Sequence, residues 1–345
     1  MLLFEVVDFD EGRDDSLRIT IKDIAQMANV SVSTVSRVVN NSKPVNEDVR
    51  RRVMEVLKKT NYPPRIVANQ ETARSLIGVI APKNSSTVLD DFITGIQTIS
   101  SVFGYETIIT LSDGTEDTEL QCLRLHADMG TQGVIFIGNQ FGKHHLNILE
   151  SASIACTLVG QISEMPSVPS VHVDNVSAAY EAVTCLIHKG HRDIAMIRAG
   201  GDMPVGGHRY RGYRQALQDA GISLREEWIV ESEISIEGGR IAMQAIAETG
   251  SLPSAVFCST DGMAIGAMNY LLDNGYRIPE DVSVLGFDGS FMSTLVRPQL
   301  STVEYSAVEI GMTSTRNLIR KLKGAADVPQ HSNVTYHLVL RGSTK

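Results

Sequence analysis

The chain has 345 residues, too many for one compact core and suited to a small module followed by a larger two-lobed domain. No apolar run reaches the length of a membrane span, and the acidic first eighteen residues lack the basic-then-apolar order of a signal peptide, so a cytoplasmic protein is expected. The net charge of −9 argues against nucleic acid only until it is divided: residues 1–18 carry −4, residues 19–75 carry ten bases and five acids for +5, and the remainder carries −10.

Residues 1–18 open with Leu2, Leu3, Phe4, Val6 and Val7, followed by the acidic run Asp8 to Asp15. This segment reads either as a disordered tail or as an acidic arm that competes with a polyanion for the basic stretch behind it. The sequence does not choose between the two.

Thr20 to Asn40 (TIKDIAQMANVSVSTVSRVVN) predicts two short helices joined by a tight turn. Ile21, Ile24, Ala25 and Ala28 recur at helical spacing and give the first helix one apolar face. Asn29 stands where left-handed backbone is needed, and Ser31 is placed to cap the second helix. On that helix Val35 and Val38 point inward, while Val32, Ser33, Ser36 and Arg37 share the opposite face. Arginine pairs with guanine in a major groove, and hydroxyls take phosphates or base edges. An ordinary helical hairpin with a solvated face has the same periodicity.

A loop with Pro44 follows, and then a third helix. Asn46 caps it, Val49, Val53, Val56 and Leu57 form its buried face, and Arg50, Arg51 and Arg52 fan outward with at least one expected on a phosphate. From Leu76 the pattern becomes short apolar runs alternating with helical stretches. The runs are LIGVIA (76–81), ETIITL (106–111), GVIFIG (133–138), ACTLVG (155–160), SVHVD (170–174), DIAMIRAG (193–200), AVFCST (255–260) and VSVLGF (282–287). Helical spacing occupies 89–103, 116–129, 175–189, 208–220, 237–249, 261–273 and 306–323. Alternating strand and helix implies an α/β fold with doubly wound parallel sheets, and about 270 residues of it implies two lobes.

Ligands in such sheets bind beyond the carboxyl ends of the strands. Four loops qualify: Pro82 to Asp91, Gly200 to Arg209, Ser259 to Asp261, and the turn at Asp288. Asp261 reads as the cap of the helix DGMAIGAM rather than as a ligand contact. The glycines near residue 200 do not form a G-x-G-x-x-G fingerprint. The four cysteines are widely spaced without a C-x-x-C pair, and the histidines have no metal spacing, so neither cofactor nor metal is expected. No catalytic grouping can be argued from spacing, and the chain is not expected to be an enzyme.

T-I-K-D-I-A followed by V-S-V-S-T-V-S-R-V-V-N resembles the headpiece of the lactose-repressor/galactose-repressor (LacI/GalR) family of bacterial transcription regulators over about twenty consecutive positions. A weaker resemblance runs to the C-terminus. It implies an N-terminal three-helix helix-turn-helix headpiece at 19–62, a hinge at 63–75, and a periplasmic-binding-protein-like effector and dimerisation domain at 76–345. The N-lobe would comprise about 76–173 and 304–334, and the C-lobe about 174–303 and 335–345, with the extension 1–18 ahead of where most relatives begin.

The resemblance also implies the site residues. DNA contacts fall on Thr20, Ser31, Val32, Ser33, Thr34, Ser36, Arg37 and Asn40, with Val67 and Ala68 in the hinge. The hinge departs from the family: Glu71 stands where a leucine wedge is expected, and the segment is about two residues short. Arg209, three residues before Gly212-Tyr213, matches an effector-site arginine, and Asp288, in G-F-D, matches an acid that accepts from ligand hydroxyls or amines. Thr260, Ser86 and Asp261 complete the expected effector set, and a structural Arg209–Asp288 salt bridge is the competing assignment. Positions where relatives stack aromatic rings hold Leu89 and Ile234, which favours a sugar or amino sugar over a flat purine. The expected function is a sequence-specific DNA-binding transcription regulator. It would be homodimeric on a palindromic operator, controlled by a small molecule between its lobes, and nucleoid-associated when bound. A soluble sugar receptor is the alternative.

Overall fold

The computed structural model describes residues 21–40, 45–60, 75–83, 87–138, 140–200 and 204–345. Thr20, Val67, Ala68, Glu71, Ser86 and the acidic segment 1–18 lie outside the described residues. The chain separates into two compact units, residues 1–74 and 75–345.

The described residues of the first unit form three helices, α1 (Ile21–Met27), α2 (Val32–Asn40) and α3 (Glu47–Thr60). Asn29 turns the chain between α1 and α2 at φ 52°, a conformation that costs most side chains and that asparagine tolerates. Ser31 Oγ accepts the Thr34 N–H at 3.1 Å, and Asn46 Oδ1 accepts the Asp48 N–H at 2.9 Å, so each hydroxyl or amide ahead of a helix satisfies an otherwise orphaned donor. Ile24 and Ala25 of α1, with Ala28 just beyond its end, close on Val35 and Val38 of α2, and Val53 of α3 seals the set, with Val30, Val45, Val56 and Leu57 around it.

The second unit holds β1 (Ser75–Pro82), α4 (Leu89–Val102), β2 (Tyr105–Ser112), α5 (Glu116–Asp128), β3 (Gly133–Phe136), α6 (Lys143–Ser151), β4 (Ala155–Val159) and β5 (Ser170–His172). The chain then passes into α7 (Asn175–His188), β6 (Ile194–Ala199), α8 (Pro204–Asp219), β7 (Ile229–Ser232), α9 (Ile236–Ala247), β8 (Ala255–Cys258), α10 (Asp261–Asp273), β9 (Ser283–Asp288), α11 (Met292–Leu295) and β10 (Ser301–Tyr305). It ends with α12 (Ala307–Leu322), β11 (His331–Asn333) and β12 (Tyr336–Val339).

Two six-stranded sheets result, ordered β11-β5-β4-β3-β1-β2 and β12-β10-β9-β8-β6-β7. Each is doubly wound, reversing its strand order once, between β1 and β3 in the first and between β6 and β8 in the second. The first sheet is parallel throughout. In the second, β12 runs antiparallel to β10. The reason is topological: β10 leaves this lobe and β12 comes back into it, whereas β5 and β11 both leave the first lobe and so run parallel.

Strands β1, β3, β4, β6, β8 and β9 are buried on both faces, and they are the near-continuous apolar runs of the sequence. One apolar core runs through both lobes past Val171, Val173, Val303 and Val334, the residues beside the three crossings. Separate cores cover the outer faces of the two sheets.

Helix α8 begins at Pro204, a full turn before the expected 208, so the loop ahead of it is shorter than expected and Arg209 stands in the helix's second turn and not at its start. Proline at a first helical position loses no hydrogen bond. Gly206 fits the first turn because a Cβ there would lie 2.5 Å from the Ala199 carbonyl, and Gly212 lets α8 lie directly against the backbone of α7 at Val176. These two close approaches set the height at which Arg209 projects.

Candidate functional site

In the first unit, α2 presents a polar outer face. Ser31 Oγ lies 2.8 Å from both Ser33 Oγ and Thr34 Oγ1, so three hydroxyls cluster where the backbone N–H groups of the helix start. That arrangement suits a phosphate oxygen. Val32 is 41% exposed and Arg37 is exposed five positions further along the same helix, so α2 offers solvent both a methyl surface and a guanidinium. The pair matches the contacts that read a thymine methyl and a guanine edge. Ser36 and Asn40 also belong to α2. Arg50, Arg51 and Arg52 lie on the exposed side of α3, where Arg51 bonds Asp48 at 2.8 Å in a fully solvated pair that adds little stability.

In the second unit a cavity of about 80 Å³ opens where the carboxyl ends of the strands of both lobes meet. Its walls differ in kind. The first lobe contributes Pro82, Leu89, Phe92, Ile137, Gly138, Val159, Gly160, Val173 and Ile310, and none of these has a polar side chain. The second lobe contributes Asn175, Arg209, Thr260 and Asp288 beside Pro204, Val205 and Ile234, and Tyr305 comes from the second crossing. A hydroxyl pressed against the apolar wall without a partner would cost about 1–3 kcal/mol.

The polar wall is a connected network. Arg209 Nε donates to Asn175 Oδ1 at 2.8 Å, and Nη1 donates to the Ser259 carbonyl and to Asp288 Oδ1, the last at 3.1 Å. Its guanidinium carbon lies 3.5 Å from the centre of the Phe287 ring, a desolvated cation–π contact. Tyr305 donates its hydroxyl to Asp288 Oδ1 at 3.2 Å, and burial beside that acid holds the phenol well above its ordinary range. Asp288 itself adopts φ 120°, uncommon for any residue with a Cβ and costly enough, about 1–3 kcal/mol, to mark a position the fold overdetermines. Its Oδ2 is buried and without a hydrogen-bond partner among the described residues.

Arg209 and Asp288 are therefore salt-bridged to each other and also line the cavity, so the two assignments for the pair are not exclusive. The cap of α10 is Thr260, whose hydroxyl accepts the Met263 N–H at 3.3 Å, and not Asp261. The threonine side chain sits one residue nearer the strand end and reaches the free N–H first. Asp261 is wholly buried behind it, accepting the Ser290 N–H and the Thr302 hydroxyl at 2.6 Å each, and is not among the cavity residues. Burial and the neighbouring Asp288 push the Asp261 carboxyl up to about 7, and burial pushes Asp288 to about 6 against the opposing pull of Arg209. Leu89 and Ile234 both face the cavity. Asn175 and Tyr305 were not foreseen: an asparagine at a helix start reads as a cap, and the tyrosine lies in a strand too polar to be recognised.

A basic helix-turn-helix unit and a two-lobed α/β unit with a closed polar cluster in its cleft define a ligand-responsive DNA-binding regulator. Residues 20–65 match the model for bacterial regulatory proteins of the lacI family, and residues 183–344 match the periplasmic binding protein-like domain. Catabolite control protein A of Priestia megaterium is 31% identical over 95% of this chain and 100% of its own length. The transcriptional regulator RegA of Clostridium acetobutylicum is 34% identical over 94% of this chain and 99% of its own. A cellobiose complex of the regulator CelR superposes with a TM-score of 0.72 at 26% identity, covering 94% of this chain and all of that one. The lac repressor dimer on its operator has the same fold, with a TM-score of 0.73 at 23% identity over 94% of this chain and 99% of its own. The chain belongs to the LacI family of bacterial regulatory proteins and is a DNA-binding transcription regulator.

Proposed function

We propose that this regulator binds a palindromic operator as a homodimer, with α2 of each copy in a major groove, and that a carbohydrate-class effector in the cleft of the second unit changes operator affinity. The observation that carries the reading is the buried Arg209–Asp288–Tyr305 cluster at the meeting point of two lobes, in a chain whose helix-turn-helix segment is basic while the rest is acidic in sum. A ligand that contacts both walls favours one lobe arrangement over another, and a shift between two dimer arrangements follows from that difference in affinity.

Two apolar surfaces support the dimer. The edge strand β2 exposes Leu111 and Ile109, and α11 with its preceding residue exposes Leu295 and Phe291, the last at 73%. One three-helix unit offers few base contacts, and a two-fold dimer doubles them on a palindrome. The lac repressor in its solved operator complex is a dimer, and the CelR structure is a cellobiose complex. No helix among the described residues is long and apolar enough to cross a membrane.

Selection of bound sequences from a random duplex pool tests the proposal. A palindrome with half-sites about one helical turn apart is expected, bound by two copies and released or tightened by a sugar in competition assays. Enrichment of no sequence, or of a site bound by a single copy, would refute the operator-dimer reading.

A further inference from the structure

We propose that the effector is an oligosaccharide of at least two sugar units. One unit lies in the cavity beside Arg209. The next lies in an outer chamber, where Glu164 of the first lobe and Arg211 of the second bond its hydroxyls. The inference rests on the cleft being the effector site and specifies the size and reach of the ligand that site takes.

The chamber holds about 570 Å³, against about 80 Å³ for the inner cavity. Pockets that enclose small organic ligands run to about 300–1,000 Å³, so the inner cavity alone falls short of that range. The two spaces are continuous. Pro204 lines both, and Gly160 of the inner wall is followed directly by Gln161 of the outer one. Gln161 also fixes that wall: its Oε1 accepts the Phe141 N–H at 3.0 Å, and its Nε2 donates to the Gly138 carbonyl at 3.4 Å.

In the inner cavity the first lobe presents no polar side chain, but in the chamber both lobes do. Gln140, Gln161, Ser163 and Glu164 come from the first, and His208 and Arg211 from the second. Gln140, Glu164 and Arg211 are exposed, and none of the three has a hydrogen bond or ion pair among the described residues. A hydroxyl both donates and accepts, so the hydroxyls of one sugar ring can bond the carboxylate and the guanidinium together. Such bonds reach both lobes and so give the ligand a direct hold on their arrangement. Phe141, Ile162 and Met165 add apolar surface for the C–H face of the ring.

Gly207 keeps the chamber open. It lines the chamber from the first turn of α8, where a glycine weakens the helix. Its neighbour Gly206 is demanded by the Ala199 carbonyl, whereas a Cβ at Gly207 would meet nothing within 4 Å among the described residues. The fold does not require that glycine, and a second sugar unit does, because a side chain there would take its space.

Thermal unfolding of the full-length protein tests this with cellobiose and maltose against D-glucose, β-1,4-mannobiose against D-mannose, and xylobiose against D-xylose. At least one disaccharide is expected to raise the unfolding midpoint where its monosaccharide at twice the concentration does not. Calorimetric titration should show it binding roughly tenfold tighter or more, the scale of one or two net hydrogen bonds. The shift should disappear in Gly207→Leu and fall by at least half in Glu164→Ala and Arg211→Ala. All three positions are exposed, and the midpoint without sugar reports that each variant folds. A monosaccharide that stabilises as well as its disaccharide overturns the two-unit ligand while leaving the cleft as the effector site. Silence from every sugar also overturns it, and operator titration with the monosaccharides then judges the cleft separately. A shift unchanged in all three variants overturns the outer chamber as the place of the second unit.

Discussion

Arg209 Nη1 lies 3.1 Å from Asp288 Oδ1, with the two side chains 4% and 1% exposed, so this ion pair has been taken almost entirely out of water. Such a pair contributes little net stability against a well-packed apolar replacement, but removing one partner strands the other. Arg209→Ala is therefore expected to destabilise the second unit by about 3–5 kcal/mol. The double variant Arg209→Ala/Asp288→Ala should lose clearly less than the two single losses combined. Urea unfolding of the four proteins measures the coupling, and strict additivity would show that the two groups do not depend on each other.

The two raised carboxyls give an unusual pH dependence. Asp261 and Asp288 bind protons more tightly in the folded chain, at about 7 and about 6, than at the ordinary value of 3.8. Between pH 4 and 7 the native state holds more protons than the unfolded state, so their contribution is full below pH 4 and declines as pH rises through that window. Relative to the wild type, Asp261→Asn should gain stability steadily from pH 4 to pH 7. Urea midpoints taken across that range would show a flat difference if the acid were already ionised when folded.

Specificity is expected to centre on Arg37. If its guanidinium pairs with a guanine, Arg37→Ala should cost about 1–3 kcal/mol on the preferred operator and relax selection at one base pair per half-site. Fluorescence anisotropy on operators substituted at single positions separates this from a backbone contact, for which every sequence would weaken equally.

At Asn29, φ 52° makes a different kind of variant informative. Asn29→Ala should destabilise the helix-turn-helix unit by about 1–2 kcal/mol, the cost of left-handed backbone for a residue with a Cβ and no compensating side chain. Asn29→Gly should not destabilise it. Hydrogen exchange at the amides of α1 and α2 reads the effect locally, and equal exchange in the two variants would remove the turn as its cause.

Much of this architecture is legible because parallel strands buried on both faces must be continuously apolar, as LIGVIA, GVIF and AVFC are. The strands that escape notice are of another type. β7 (IVES), β10 (STVEY) and β12 (YHLV) carry polar residues at or near sheet edges, and β11 (HSN) is three residues long and paired on one side. Helix α8 is misplaced at its start because Gly206 and Gly207 read as loop, whereas Gly206 is demanded by the Ala199 carbonyl. Within the cleft, Asp288 and Thr260 follow from their places at strand ends, and Arg209 from its spacing before Gly212-Tyr213. The opposite wall is apolar because residues far apart in sequence happen to converge, and no local pattern announces that.

The chain passes between the two lobes three times, the last time after β11, which lies beside β5 with the Val334 N–H on the His172 carbonyl. The first lobe is consequently left unfinished at residue 172 and is completed only by α12 and β11, about 160 residues later. At ordinary translation rates that interval lasts on the order of ten seconds. For that time a ribosome carries a helix-turn-helix unit whose sequence is already complete, attached to a half-built lobe with no cleft. Newly made copies thus pass through a stage at which the part that binds DNA exists before the part that governs it, and any chaperone or truncation that lengthens this stage would uncouple the two.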